Sequence, residues 1–224
     1  MPGYEIVHAT LRRPVPYRQG FDLIDRRLQA EGQPRYALCA IELRSPQPFT
    51  FDGFAEFNQG YRQILNDWDL LLAGQNPIAR TNVAPAVNPP AEPSLYAFSY
   101  TVPRSGSDTF PTFVVAGAGD IDGTLSVENI IRAGETSAEA IAEKATHVMN
   151  IMQQRLTGLY AGWADVTAVD IYTVHSFQTF LVPTILEKIG PAAGHGVHWF
   201  YSRPPILGLE FEMDLRGVSR EIWL

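Results

Sequence analysis

The sequence predicts an α+β fold made of two related units, residues 1–103 and 109–224, each a mixed sheet with helices on one face. Three observations predict it. Strand-like and helix-like periods alternate with short connections, the pattern of a sheet covered by helices. One long segment carries an unbroken apolar stripe at helical spacing. The order of elements in the second half recurs, more weakly, in the first.

In chain order, residues 1–20 hold at most one strand. Phe21, Ile24 and Leu28 share one face of a helix. Tyr36 to Leu43 reads as an apolar strand, and Phe54, Phe57, Tyr61, Ile64 and Leu65 mark a second helix. Val83 to Val87 and Ser94 to Val102 read as strands around Pro89-Pro90. A short connector, Arg104 to Asp108, separates the halves. Thr112 to Gly123 is a strand running into a glycine turn.

Thr136 to Leu159 is the clearest helix. Ile141, Ala145, Val148, Met149, Met152, Leu156 and Leu159 recur at steps of three and four. Thr136 and Glu139 have capping-box spacing. Val166 to Val174 is rich in β-branched residues and reads as a strand. A short helix fits Phe177 to Ile189, followed by strands at Val197 to Ser202 and Leu207 to Leu215. Arg27-Leu28 matches Arg155-Leu156, Phe54-x-x-Phe57 matches Phe177-x-x-Phe180, and Pro89-Pro90 matches Pro204-Pro205, always in order.

Composition narrows the function classes. The net charge of −7 disfavours an electrostatic nucleic-acid binder, which needs a basic face. A single cysteine, Cys39, forms no internal disulfide and fits a reducing compartment. Its apolar strand suggests a packing thiol rather than a nucleophile. The N-terminus lacks the pattern of a secretion signal, and no apolar run reaches the length of a membrane span. A cytoplasmic protein without nucleic-acid or membrane partners is therefore expected.

Several of these segments resemble the Rid (YjgF-like) family. Val114-Val-Ala-Gly-Ala-Gly-Asp-Ile-Asp-Gly123 is similar to its glycine turn. The long helix, the Asp165 to Val174 strand, the Phe-x-x-Phe helix and the ending Ser202 to Glu212 follow in the family's order. The resemblance implies a chorismate-mutase-like α+β fold, a homotrimer with clefts between subunits, and hydrolysis of enamines or imines such as 2-aminoacrylate or 2-aminomuconate. It implies no metal and no organic cofactor.

The resemblance also implies site residues, divided between the halves. Arg80, in Asn76 to Val83, corresponds to the family's carboxylate-gripping arginine. Asn58 and Tyr61 lie in the segment that matches its asparagine helix. Glu210, six residues after Pro204, stands where the water-positioning glutamate falls, and Gly117 matches the turn glycine. His195 stands where the second half lacks an arginine. A guanidinium binds a carboxylate bidentately, and a carboxylate near water serves as general base. The expectation is a composite cleft in which Arg80 grips a small carboxylate-bearing substrate and Glu210 works on water.

Other readings of the same residues stay open. Arg80 fits a surface arginine, Glu210 a solvated partner of Arg203 or Arg216, Asn58 a helix-bridging amide and His195 a loop histidine. His195 and His198 lack a clustered third ligand for zinc. Gly117-Ala-Gly119 has Asp122 where a dinucleotide fingerprint needs its third glycine. The alternative function is a non-catalytic small-molecule-binding or scaffold oligomer.

Overall fold

The computed structural model describes residues 3–105 and 110–224, so part of the expected connector lies outside the described residues. Among the described residues, ten strands form two mixed sheets on which four helices pack. The first half supplies β1 (Tyr4–Pro16), α1 (Tyr17–Ala30), β2 (Leu38–Arg44), α2 (Phe51–Asp67), β3 (Ala79–Pro85) and β4 (Ser94–Pro103). The second supplies β5 (Phe113–Gly119), α3 (Ala138–Gly158) and β6 (Ala168–Tyr172). Three consecutive turns, Gln178–Phe180, Leu181–Leu186 and Glu187–Ile189, form one helix, α4; the middle one is a π-turn around Pro183, which has no N–H to donate. β7 (His198–Phe200), β8 (Ser202–Arg203), β9 (Glu212–Gly217) and β10 (Arg220–Trp223) close the chain.

The helical stripes do what their spacing predicts. Phe21, Ile24 and Leu28 of α1 and Tyr61 and Leu65 of α2 pack on the first sheet. Ile141, Ala145, Val148, Met149, Met152 and Leu156 of α3 pack on the second. Two details differ. Ser137, not Thr136, caps α3, its hydroxyl accepting from Ala140 N–H at 3.2 Å. Leu159 lies beyond the last turn and is exposed, because the helix stops at Gly158.

The first sheet has the order β10-β1-β4-β2-β3-β8 and the second β5-β9-β6-β7. Thus the second half completes the first sheet: β10 runs parallel to β1, and β8 pairs antiparallel with β3. The closing region is more broken than its apolar pattern suggests. Leu207, the expected start of the last strand, bonds with Phe49 instead, as does Pro205: Phe49 N–H reaches Pro205 O and its carbonyl accepts from Leu207 N–H, both at 2.8 Å.

Away from the helices the two sheets face each other across a polar seam. His8, Glu42 and Thr81 come from the first sheet, Asp170, Asp214 and Arg216 from the second, and all are buried. The Thr81 hydroxyl donates to Asp214. Arg216 donates to Asp170 at 2.7 Å, and Tyr172 donates to Asp214 at 3.1 Å. The carboxylates are thus met by donors, as burial requires. Among the described residues no helix is long and apolar enough to cross a membrane.

Candidate active site

The site begins with a defect in the second sheet. β5 and β9 lose register between Val115 and Ala118, a β-bulge that leaves Ala116 and Gly117 out of the ladder. Their polar groups find other partners. Arg155, in the last turn of α3, donates from Nη1 to Ala116 O at 2.5 Å and to Gly117 O at 3.3 Å. Gly117 N–H donates to the Thr81 hydroxyl of β3 at 3.1 Å. The bulge therefore ties the second sheet to the first and anchors an arginine.

Beside it opens a cavity of about 400 Å³, within the range of small-molecule sites. Arg80, Asn82, Arg155 and Glu212 supply its polar wall. Phe54, Ile121, Ile151, Ile206 and Leu209 supply apolar surface, and the 117–123 turn forms its rim. Ile206 and Leu209 reach it through the Phe49 contacts and the turn at Gly208, whose φ of +92° suits glycine.

Arg80 leaves β3 toward α2. Its guanidinium lies 4.8 Å from the Tyr61 ring centroid, 5.4 Å from Phe54 and 5.7 Å from Phe57. Nη2 donates to Asn58 Oδ1 at 2.6 Å. Three rings and an amide fix the group in place. Burial pulls its pKa below the ordinary value, opposed by Tyr61 and Glu212. Burial likewise lowers that of Arg155, again opposed by Glu212.

Glu212, the first residue of β9, is the buried carboxylate of the cavity, only 4% exposed, and Asp122 is a second at its rim. Burial pushes its pKa up to about 8, and the charge of Asp120 adds to the effect; Arg155, Arg80 and Arg44 pull the other way. Desolvation dominates, so the group holds a proton at neutral pH. Asp120 is paired with Lys144 at 2.7 Å, both wholly buried, and takes the N–H groups of Glu210 and Phe211 at 2.9 and 3.0 Å. That clamp sets the path of the chain into Glu212.

Arg80, Asn58, Tyr61 and Gly117 thus meet at one place. Arg80 and Gly117 line the cavity, while Asn58 and Tyr61 hold Arg80 from behind. Glu210 does not join them. It accepts from or pairs with His175 Nε2 at 2.7 Å and sits 4.0 Å from Arg203, outside the cavity wall. Glu212, just after the segment that Asp120 clamps, lines the cavity instead. His195 is exposed at the end of the 3-10 segment Gly190–His195, also away from the cavity. Cys39 keeps some surface, but its apolar surroundings push the thiol up to about 12, which rules out a thiolate at neutral pH.

Glu212, Arg155 and Asn82 escape the sequence patterns. Arg155 in the last turn of a helix reads as a charge facing water. Glu212 sits in a strand buried along its whole length, where alternation gives no clue. Among the described residues, Glu42, Asp170 and Asp214 bring carboxylate oxygens within 4.8 Å of one another, the geometry of a possible metal cluster. Each is engaged: Glu42 by Arg44, Asp170 by Arg216 and His198, Asp214 by Thr81 and Tyr172. These contacts make the cluster a seam between sheets.

A buried acid and two partly buried guanidinium groups line one cavity of metabolite size, an arrangement that suits a small anion. Comparison with known proteins gives the family. The model of the 2-aminomuconate deaminase CnbZ family matches residues 1–222, and this chain belongs to that family. A 2-amino-5-chloromuconate deaminase from Comamonas testosteroni is 41% identical over 222 residues, which cover 98% of this chain and 88% of that protein. A chorismatase crystal structure aligns with 89% of this chain and 69% of its own at a TM-score of 0.49 and 12% identity, a likeness too slight to argue from. The Rid assignment is thereby corrected. One family model runs through both halves, and nothing supports two Rid units; the shared element order and proline pairs are too generic to separate the two families.

Proposed function

We propose that the chain hydrolyses the amino group from a 2-aminomuconate-type dicarboxylate and releases ammonia. The observation that carries this reading is the buried Glu212 carboxyl, its pKa pushed up by burial, placed with Arg80 and Arg155 around one cavity. Two cations suit a substrate with two carboxylates. The family membership and the name of the 41% identical relative support the same substrate class.

The chemistry follows from the proton on Glu212. The substrate is an enamine, so its carbon next to the amino-bearing carbon accepts a proton from the Glu212 carboxyl, leaving an iminium and a carboxylate. A water molecule adds to the iminium carbon while that carboxylate takes its proton. Glu212 then protonates the nitrogen, the carbon–nitrogen bond breaks, and ammonia leaves. The hydroxyl proton returns to Glu212 as the carbonyl forms. One water is consumed, one ammonia is produced and the acid is regenerated. The arginines hold the carboxylates so that the reacting carbon stays beside the acid.

The test is ammonia release from 2-aminomuconate by the purified chain. Wild-type protein should release it stoichiometrically with loss of the dienamine absorbance, and Glu212→Gln should lose at least a thousandfold in kcat. Ammonia release that persists in Glu212→Gln would refute the assignment.

A further inference from the structure

Asn82 stands two residues after Arg80 on β3, so the two side chains leave the strand on the same face, and both line the cavity. Asn82 is 3% exposed. Its Oδ1 accepts from the Ser45 hydroxyl at 2.9 Å. Ser45 is wholly buried, and its own N–H is tied to Val83 O at 2.8 Å, so the hydroxyl is held in place. This bond orients the amide and leaves Nδ2 without a hydrogen-bond partner. A buried donor is rarely left so in a folded protein. Here the side chain that carries it lines a cavity, two residues along the strand from Arg80.

We propose that Asn82 Nδ2 and Arg80 together hold the far carboxylate of the substrate, the one remote from the amino-bearing carbon. The proposal rests on the deaminase reading above. The ends are assigned by geometry. Glu212 packs against Gly117, and Arg155 is anchored on the carbonyls of Ala116 and Gly117, so the acid and Arg155 share the bulge. The near carboxylate, next to the reacting carbon, lies there. Arg80 is fixed instead from α2, through Asn58.

This makes Asn82 a specificity residue for dicarboxylates. A carboxylate oxygen satisfies the orphaned N–H, and a methyl or hydrogen at that end leaves it unmade. Sites built to hydrogen-bond a substrate reject analogues lacking the group, because their own buried polar atoms stay unpaired.

The experiment has two arms. The first measures binding of the muconate dianion, which lacks the amino group and does not react, by calorimetry. Asn82→Ala should weaken it by roughly 10- to 100-fold, the worth of a hydrogen bond to a charged group. Asn82→Asp, which keeps the shape but replaces the donor by an anion, should weaken it at least as much. Binding within twofold of wild type in both variants would overturn the proposal. The second arm compares turnover. Asn82→Ala should lower kcat/KM for 2-aminomuconate by a similar factor, chiefly through KM. Its effect on 2-aminoacrylate, whose single carboxylate adjoins the reacting carbon, should be smaller by at least fivefold. Equal losses on both substrates would refute the end assignment. If muconate binding depends on Asn82 but no ammonia is released by wild type, the deaminase reading fails alone. If wild type releases ammonia and Asn82 has no effect, this proposal fails alone.

Discussion

The Cα of Gly117 faces the carboxylate of Glu212 so closely that a Cβ there would collide with Oε1. The same Cβ would stand 3.2 Å from both Oγ1 and Cγ2 of Thr81. The glycine is needed for closeness, since it carries no positive φ. Gly117→Ala should therefore fold, because the displaced atom ends a side chain, yet push the acid out of line. We expect kcat to fall by roughly 100-fold, the scale of a misplaced catalytic group, with urea-measured stability changed by about 1 kcal/mol or less. Wild-type kcat in this variant would show that the acid's placement does not matter.

Glu212 also predicts the pH profile. Turnover begins with its protonated form, so kcat/KM should be level through neutral pH and fall about tenfold per unit above roughly pH 8, where the buried carboxyl ionises. An arm that falls instead below pH 6 would indicate a base that must start ionised.

The same shift has an opposite effect on stability. The folded pKa is raised above the ordinary 4.5, so the contribution is fully present below pH 4.5 and is lost as pH rises toward about 8. Glu212→Gln never ionises and escapes that loss. The variant should be inactive but more stable at pH 8, by several kcal/mol at about 1.4 kcal/mol per pKa unit. The gap in denaturation midpoints should open between pH 5 and 8 and level off above. A constant gap across that range would mean that Glu212 is not the proton carrier.

The contrast between Arg80 and Glu212 explains what the sequence could and could not reveal. Helices α1, α2 and α3 were legible because their burial follows a period, whereas Arg80 and Asn58 were named only through the resemblance to the Rid family. Glu212 was missed for a neighbour two residues away, because residues so spaced share a face in a continuous strand, whereas here the strand begins only at Glu212 and Glu210 lies outside the cavity wall. Arg155 was hidden because its partners are carbonyls freed by a bulge, and a bulge is a property of strand pairing rather than of composition. The small strand β10 was overlooked because its partner, β1, lies some two hundred residues earlier.

Arg80 is held by geometry that only a guanidinium satisfies. One nitrogen serves Asn58, the planar face lies over Tyr61, and the remaining N–H groups are free to take an anion. A lysine at this position keeps the charge but loses the fork. Arg80→Lys should raise KM by roughly tenfold or more with kcat less affected, and Arg80→Ala should be worse by a further factor of about ten. Equal KM in wild type and Arg80→Lys would argue that only net charge is read.

The Lys144–Asp120 pair links stability to the acid. Both groups are wholly buried, and Lys144 Nζ also donates to Ile131 O at 2.5 Å. Removing one partner strands the other's charge. Lys144→Met should cost about 3–5 kcal/mol, and Asp120→Asn a comparable amount. The double variant should cost much less than the two together, because no lone charge remains. The pH profile separates this from mere packing damage. Asp120 raises the Glu212 pKa through its negative charge, so the alkaline arm should move to lower pH in Asp120→Asn and in the double variant alike. Stability recovered without that movement would leave Asp120 as a structural clamp only; both together would show that its charge adds to the burial that keeps the Glu212 pKa high.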